Sequence, residues 1–172
     1  MNNKTSKSEL QALRERIRAA TGPDRGIDGR LHFYDCERNS AVPCGATNIS
    51  FRKHEQKHGW HTAYIAHKGF IHGFPEYTAS IDAALALVER VLPGWTWRVA
   101  SCSVSDDAWI IPDFNHPLYG QNFRDFWPEE CQRDPIEYLS ADVDRRPPGN
   151  PALAILESML IAMIDMIEQA DE

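Results

Sequence analysis

The stretch that most restricts how this chain can fold lies near its end. From residue 150 to about 169 the sequence reads NPALAILESMLIAMIDMIEQ, which puts Leu153, Ile155, Leu156, Met159, Leu160, Ile161, Met163 and Ile164 on more than one face of a helix. Asn150 is a favoured cap, and Pro151 suits the first helical position, where its missing N–H has no intrahelical partner to lose. A helix this apolar cannot stand alone in water. It is predicted either to be buried between layers or to lie at a subunit interface, and a homo-oligomer is one expectation, because a domain of this size rarely covers such a helix on all sides.

The rest of the chain supplies partners for it. Ser6 and Glu9 have capping-box spacing, so a helix is predicted over residues 7–20, with Leu10, Leu13, Ile17 and Ala20 on one face and Gly22-Pro23 as its stop. Another is predicted after Thr78 or Ser80, with Asp82 in its first turn, an apolar stripe of Ile81, Leu85, Val88 and Leu92 flanked by Ala84 and Val91, and Pro93-Gly94 as its end. Strand patterns cover 48–53, 60–66 and 70–74, the last following a His67-Lys68-Gly69 turn. A hairpin is predicted from 95–104 and 108–111, joined by a Ser105-Asp106-Asp107 turn, with Trp95, Trp97 and Val99 on one face and both tryptophans at least half in the core. Residues 24–48 lack clear periodicity and read as a loop with one short element near 31–34. Residues 112–148 hold six prolines among acidic and aromatic side chains and read as a long ordered loop.

With 172 residues, one domain is the default, and the pattern points to an α+β class with a small antiparallel sheet packed by helices. A net charge of -7 argues against a broad electrostatic grip on nucleic acid. The acidity concentrates between Asp106 and Asp144 and at the C-terminus, whereas the first 70 residues are richer in Lys, Arg and His; a basic partner fits that asymmetry. No apolar run approaches the roughly 20 residues needed to cross a bilayer, and the first residues lack the apolar core of a signal peptide, so a cytoplasmic protein is expected. Cys36, Cys44, Cys102 and Cys131 are irregularly spaced, and in that compartment they are expected to be thiols.

Three segments together bear a family likeness: LRERIRAATGPDRGIDGRL (13–31), PEYTASIDAALALVERVLPGWTWRV (75–99) and GNPALAILESMLIAMI (149–164). They resemble the phage ABA sandwich domain proteins, the helix followed by PGWTW being the specific part. The resemblance implies a three-layer scaffold in which a small antiparallel sheet has helices against it, and a phage or prophage origin that would place the protein in the host cytoplasm. It implies no activity and no catalytic residue. A His-rich segment, 35–72, and the Pro-rich acidic segment, 112–148, are longer than that pattern expects and read as insertions.

The candidate sites lie in those insertions. His54, His58 and His61 have the spacing that on a helix would align three imidazoles for Zn²⁺, but the surrounding residues read as strand and turn, so a solvated His-rich hairpin is the competing reading and no metal is assigned. Asp113-Phe114-Asn115-His116 sets carboxylate, amide and imidazole side by side, yet no phosphate loop, nucleophile elbow or zinc helix accompanies them; no catalytic residue and no cofactor is assigned. Tyr119, Phe123, Phe126 and Trp127 either pin their segment to the body or, with Asp106, Asp107 and Asp113, form an acidic aromatic contact surface. The expected function is binding to, and blocking, a host macromolecule such as a defence component. Two other classes compete: a small-ligand or nucleotide binder using Trp60, Tyr64, His67 and Arg98, and a metal-dependent hydrolase using the histidines.

Overall fold

The computed structural model describes residues 6–38, 48–50, 64–67, 70–72, 74–102, 105–139, 143–145 and 150–171. Helix α1 (Lys7–Ala19) starts at the expected capping box: the Ser6 hydroxyl accepts from Glu9 N–H at 3.3 Å while the Glu9 carboxylate accepts from Ser6 N–H at 2.8 Å. Its buried residues are Leu10, Leu13 and Ile17. The following stretch departs from expectation. It is not a loop but helix α2 (Arg25–Arg38), capped by Asp24, whose Oδ1 accepts from Gly26 and Ile27 N–H. Ile27, Leu31 and Tyr34 form its buried apolar stripe.

Strands β1 (Asn48–Ser50), β2 (Tyr64–His67) and β3 (Phe70–His72) form an antiparallel sheet in that order, with Ile65 opposite His72 and His67 opposite Phe70. The predicted β2–β3 hairpin is therefore present. Helix α3 (Ile81–Val91) is capped by Ser80, not Thr78, and buries Ala84, Leu87, Val88 and Val91. Its buried face is rotated from the predicted stripe, so that Ile81 is exposed and Leu85 only partly covered.

The second sheet has the order β4 (Trp95–Ser101), β5 (Asp106–Pro112), β6 (Val143–Arg145), all antiparallel. Asp106 and Asp107 belong to β5, opposite Ser101 and Ala100, so they do not form the predicted turn; the hairpin closes instead with Cys102 N–H donating to Ser105 O. Trp95 is packed against the core, but Trp97 is more exposed than expected. The Pro-rich segment is also more regular than a loop. It forms three short helices, α4 (Gly120–Phe126), α5 (Glu129–Arg133) and α6 (Pro135–Leu139), and then returns β6 to the edge of β5. Proline is compatible with this because Pro128 caps α5 and Pro135 opens α6, positions that need no intrahelical N–H.

Helix α7 (Pro151–Asp171) organises the α+β core. It packs on β4, β5 and β6 and against α1 and α3. Ala152 through Leu160, then Ala162, Met163 and Ile164, are buried within a single chain. Each fully covered leucine here, such as Leu153, Leu156 and Leu160, stabilises the fold by about 1.5–3 kcal/mol. Seven of the eight apolar residues that make the helix unfit for water are thus buried within the chain, and Ile161 is partly so. No helix among the described residues is long and apolar enough to cross a membrane.

A candidate protein-binding interface

The segment from Asp113 to Leu139 is anchored before it is displayed. Tyr119 lays its ring over Gly94, whose backbone has φ +84°, and packs at a tilt against His116 at 5.0 Å and Phe123 at 6.4 Å. Phe123 meets Trp95 and Phe114 edge-on, at 6.1 and 6.4 Å. Trp127 and Phe114 are buried. These rings attach the segment to the α3–β4 corner. Polar contacts tighten it: the Arg124 guanidinium donates to Phe114 O, and Gln132 Nε2 donates to Arg124 O and Trp127 O at 2.9 and 2.7 Å. His116 Nδ1 accepts from the N–H of Leu118 and of Tyr119, at 3.2 and 3.3 Å, which assigns the ring proton to Nε2 in the neutral imidazole.

The four aromatics proposed for contact therefore divide. Trp127 is wholly structural, Tyr119 and Phe123 are half-buried anchors, and Phe126, 43% exposed and packed edge-on against Trp127 at 4.9 Å, faces solvent. Leu118 at 76% and Ile136 at 58% are exposed in the same segment. Sequence reasoning passed over these two, because a single aliphatic residue in a Pro-rich stretch carries no periodicity that would show which way it points. Six carboxylates (Asp113, Asp125, Glu129, Glu130, Asp134 and Glu137) against two arginines give residues 113–139 their acidic character.

The three proposed aspartates do not gather. Asp106 is buried and its carboxylate accepts from the Ser101 hydroxyl across the hairpin. Asp107 is half-buried on the next position of β5. Asp113 lies at the other end of the strand, roughly 23 Å of extended chain away, and its Oδ1 accepts from Asn115 N–H in a local turn. Of the alternative ligand set, Arg98 is exposed on β4 opposite Trp109. Tyr64 and His67 occupy the ends of β2, where their side chains are not described, and Trp60, like His54, His58 and His61, lies outside the described residues. No group of three His, Cys, Asp or Glu side chains suited to a metal is present among the described residues. Neither Cys102 nor Cys131 forms a disulfide; burial, reinforced by Glu130, raises the pKa of Cys131.

A second polar cluster, unread from sequence, lies on α2. Arg25, Asp28, His32 and Asp35 recur at helical spacing and face the 74–78 segment and α3. Asp28 is fully buried; burial raises its pKa, against the opposing effect of hydrogen bonds from Thr78 N–H at 2.7 Å and Arg25 at 2.9 Å. Asp35 is buried against Arg90, with Nε–Oδ2 at 3.0 Å, and Tyr77 Oη lies between Arg90 and His32 Nδ1, at 3.5 and 3.3 Å. Tyr77 and Asp35 are too deeply covered to reach a substrate, so this network ties α2 to α3. No family model matches the chain, and neither the curated proteins nor the solved structures contain a significant match to it.

Proposed function

We propose that the protein acts by binding, presenting residues 113–139 to a basic surface on another protein and occluding what normally docks there. The exposure of Leu118, Phe126 and Ile136 among six carboxylates, on a segment held by Trp127, Phe114, Phe123 and Tyr119, carries this reading. Apolar side chains on an anchored segment lose little conformational entropy when covered, and surrounding carboxylates steer a cationic partner into register. The resemblance to phage ABA sandwich domain proteins supplies the biological setting of the proposal, a phage or prophage accessory protein engaging a host component such as a defence protein.

The test compares the intact chain with a Leu118→Ser, Phe126→Ser, Ile136→Ser triple variant in affinity capture from host lysate, followed by measurement with the purified partner at low and high salt. Exposed positions tolerate these changes without loss of fold. The expected result is a partner whose binding weakens with salt and about 150-fold with the triple variant, taking roughly 1 kcal/mol per anchor. Equal retention of every specific partner by both proteins would remove the interface from this segment.

A further inference from the structure

Strand β4 is an edge of its sheet: among the described residues it pairs with β5 alone. The phase of its hydrogen bonds can be fixed from both ends of the hairpin. Asp113 N–H donates to Gly94 O at 3.1 Å, and Cys102 N–H donates to Ser105 O at 2.9 Å. Inward and outward pairs alternate along an antiparallel ladder, so the even-numbered residues of β4 bond to β5, and Trp97, Val99 and Ser101 direct their N–H and C=O groups to the open edge. The register runs without a bulge from Trp95↔Pro112 to Ser101↔Asp106, and no Lys or Pro interrupts the strand. Devices of that kind are how exposed edges are usually protected from pairing, and among the described residues β4 carries only one, the charge of Arg98.

Its side chains point to the same conclusion. Trp95, Trp97 and Val99 share the face of Ala108 and Ile110, the face covered by α7. Ile110 is 1% exposed, yet its cross-strand neighbour Trp97 on the open edge strand is 37% exposed. Thr96 and Arg98 occupy the other face and are exposed.

We propose that β4 is a self-association edge, through which two copies of this chain pair antiparallel about a twofold axis at Trp97 and continue one sheet across the dimer. The strand is self-complementary under that operation: apolar Trp95, Trp97 and Val99 adjoin the same residues of the second copy on one face, and polar residues adjoin on the other. Trp97 N–H meets the second copy's Trp97 carbonyl, and Val99 N–H meets the second copy's Trp95 carbonyl. Charge disfavours the neighbouring register. An axis at Arg98 would set two guanidinium groups opposite each other in a closely spaced pair, whereas the axis at Trp97 sets Arg98 opposite Thr96. Pro93, which has no N–H, would face Ser101 and end the ladder.

The experiment is sedimentation velocity of the full chain from about 1 to 100 µM, a range that spans weak to moderate self-association. A reversible dimer is expected. Trp97→Lys places two ammonium groups at the axis and should weaken the dimer by roughly tenfold or more, and Val99→Pro removes an outward N–H without touching the β5 ladder and should do the same. Thr96→Glu, facing the second copy's Arg98, should tighten association roughly two- to fivefold. Near-ultraviolet circular dichroism checks that each variant is folded, and the Thr96→Glu arm gains rather than loses signal, so it does not depend on an intact Trp97 or Val99. A wild-type monomer at 100 µM would overturn the proposal, as would a dimer indifferent to Trp97→Lys; a dimer unaffected by Thr96→Glu would overturn the register.

Discussion

Replacing Gly94 by alanine probes the joint between the α3–β4 corner and the anchored segment. Two independent effects oppose a side chain there. The backbone has φ +84°, a left-handed conformation that costs an L-residue about 1–2 kcal/mol. A Cβ would also lie 2.6–2.8 Å from Cδ2, Cβ and Cγ of Tyr119, closer than real contacts allow, so the ring must shift and loosen its packing on His116 and Phe123. Overpacking of this kind costs about 1–3 kcal/mol. The reduced entropy of the unfolded chain returns about 0.4–1 kcal/mol. The net expectation is a loss of about 2–4 kcal/mol, read as a drop in the urea midpoint with an unchanged slope. Gly22→Ala, where nothing lies within 4 Å of the added carbon, serves as the control. The steric part is isolated by repeating Gly94→Ala in a Tyr119→Gly background, which removes Cβ, Cγ and Cδ2 together, so that only the backbone cost should remain and the loss should shrink by about 1–3 kcal/mol. A loss below about 1 kcal/mol, or the same loss in both backgrounds, would refute the reasoning.

Two further outcomes follow from polar groups at α7. Burial raises the pKa of Asp165, Glu168 raises it further and Arg14 opposes both, so the folded state holds that proton more tightly than the unfolded state. Its contribution is therefore full below the unfolded carboxylate pKa of about 3.9 and is lost as pH rises through the folded value; Asp165→Asn should gain stability over wild type between pH 4 and neutrality and show no advantage in more acidic urea titrations. Asn150 Oδ1 accepts from Ala152 and Leu153 N–H, at 3.0 and 3.4 Å, while its Nδ2 donates to Thr78 O at 2.8 Å. Asn150→Ala should cost about 2 kcal/mol, combining a lost cap with a stranded carbonyl, and Asn150→Asp, which keeps the cap but not the donor, should recover part of it in the same denaturation assay.

The elements that were legible are those whose signals are local. The Ser6–Glu9 box, the Ser80 cap and the Asn150-Pro151 start concern groups within one helical turn, and all three open helices. The tryptophan-bearing hairpin after Gly94 was readable for the same reason. Helix α2 was hidden by its partners. Its apolar stripe of Ile27, Leu31 and Tyr34 is interleaved with Asp28 and Asp35, which look like surface residues until Thr78 N–H and Arg90, each more than 45 residues away, pair with them in the interior. The acidic segment reads as a loop in sequence because α4, α5 and α6 are too short to show periodicity, and β6 exists only because β5 offers it an edge. At the candidate interface, sequence identified the aromatic segment but not the division of its rings into anchors and exposed side chains.

By itself the sequence determined that α7 must be enclosed, because so many apolar side chains around one helix leave no face that water tolerates. Tertiary structure decided what encloses it: the sheet of β4, β5 and β6 together with α1 and α3, all from the same chain. It also decided which rings of the acidic segment are spent on attachment and which side chains remain outside. Burial depends on contacts among residues far apart in the chain, and no local pattern encodes them.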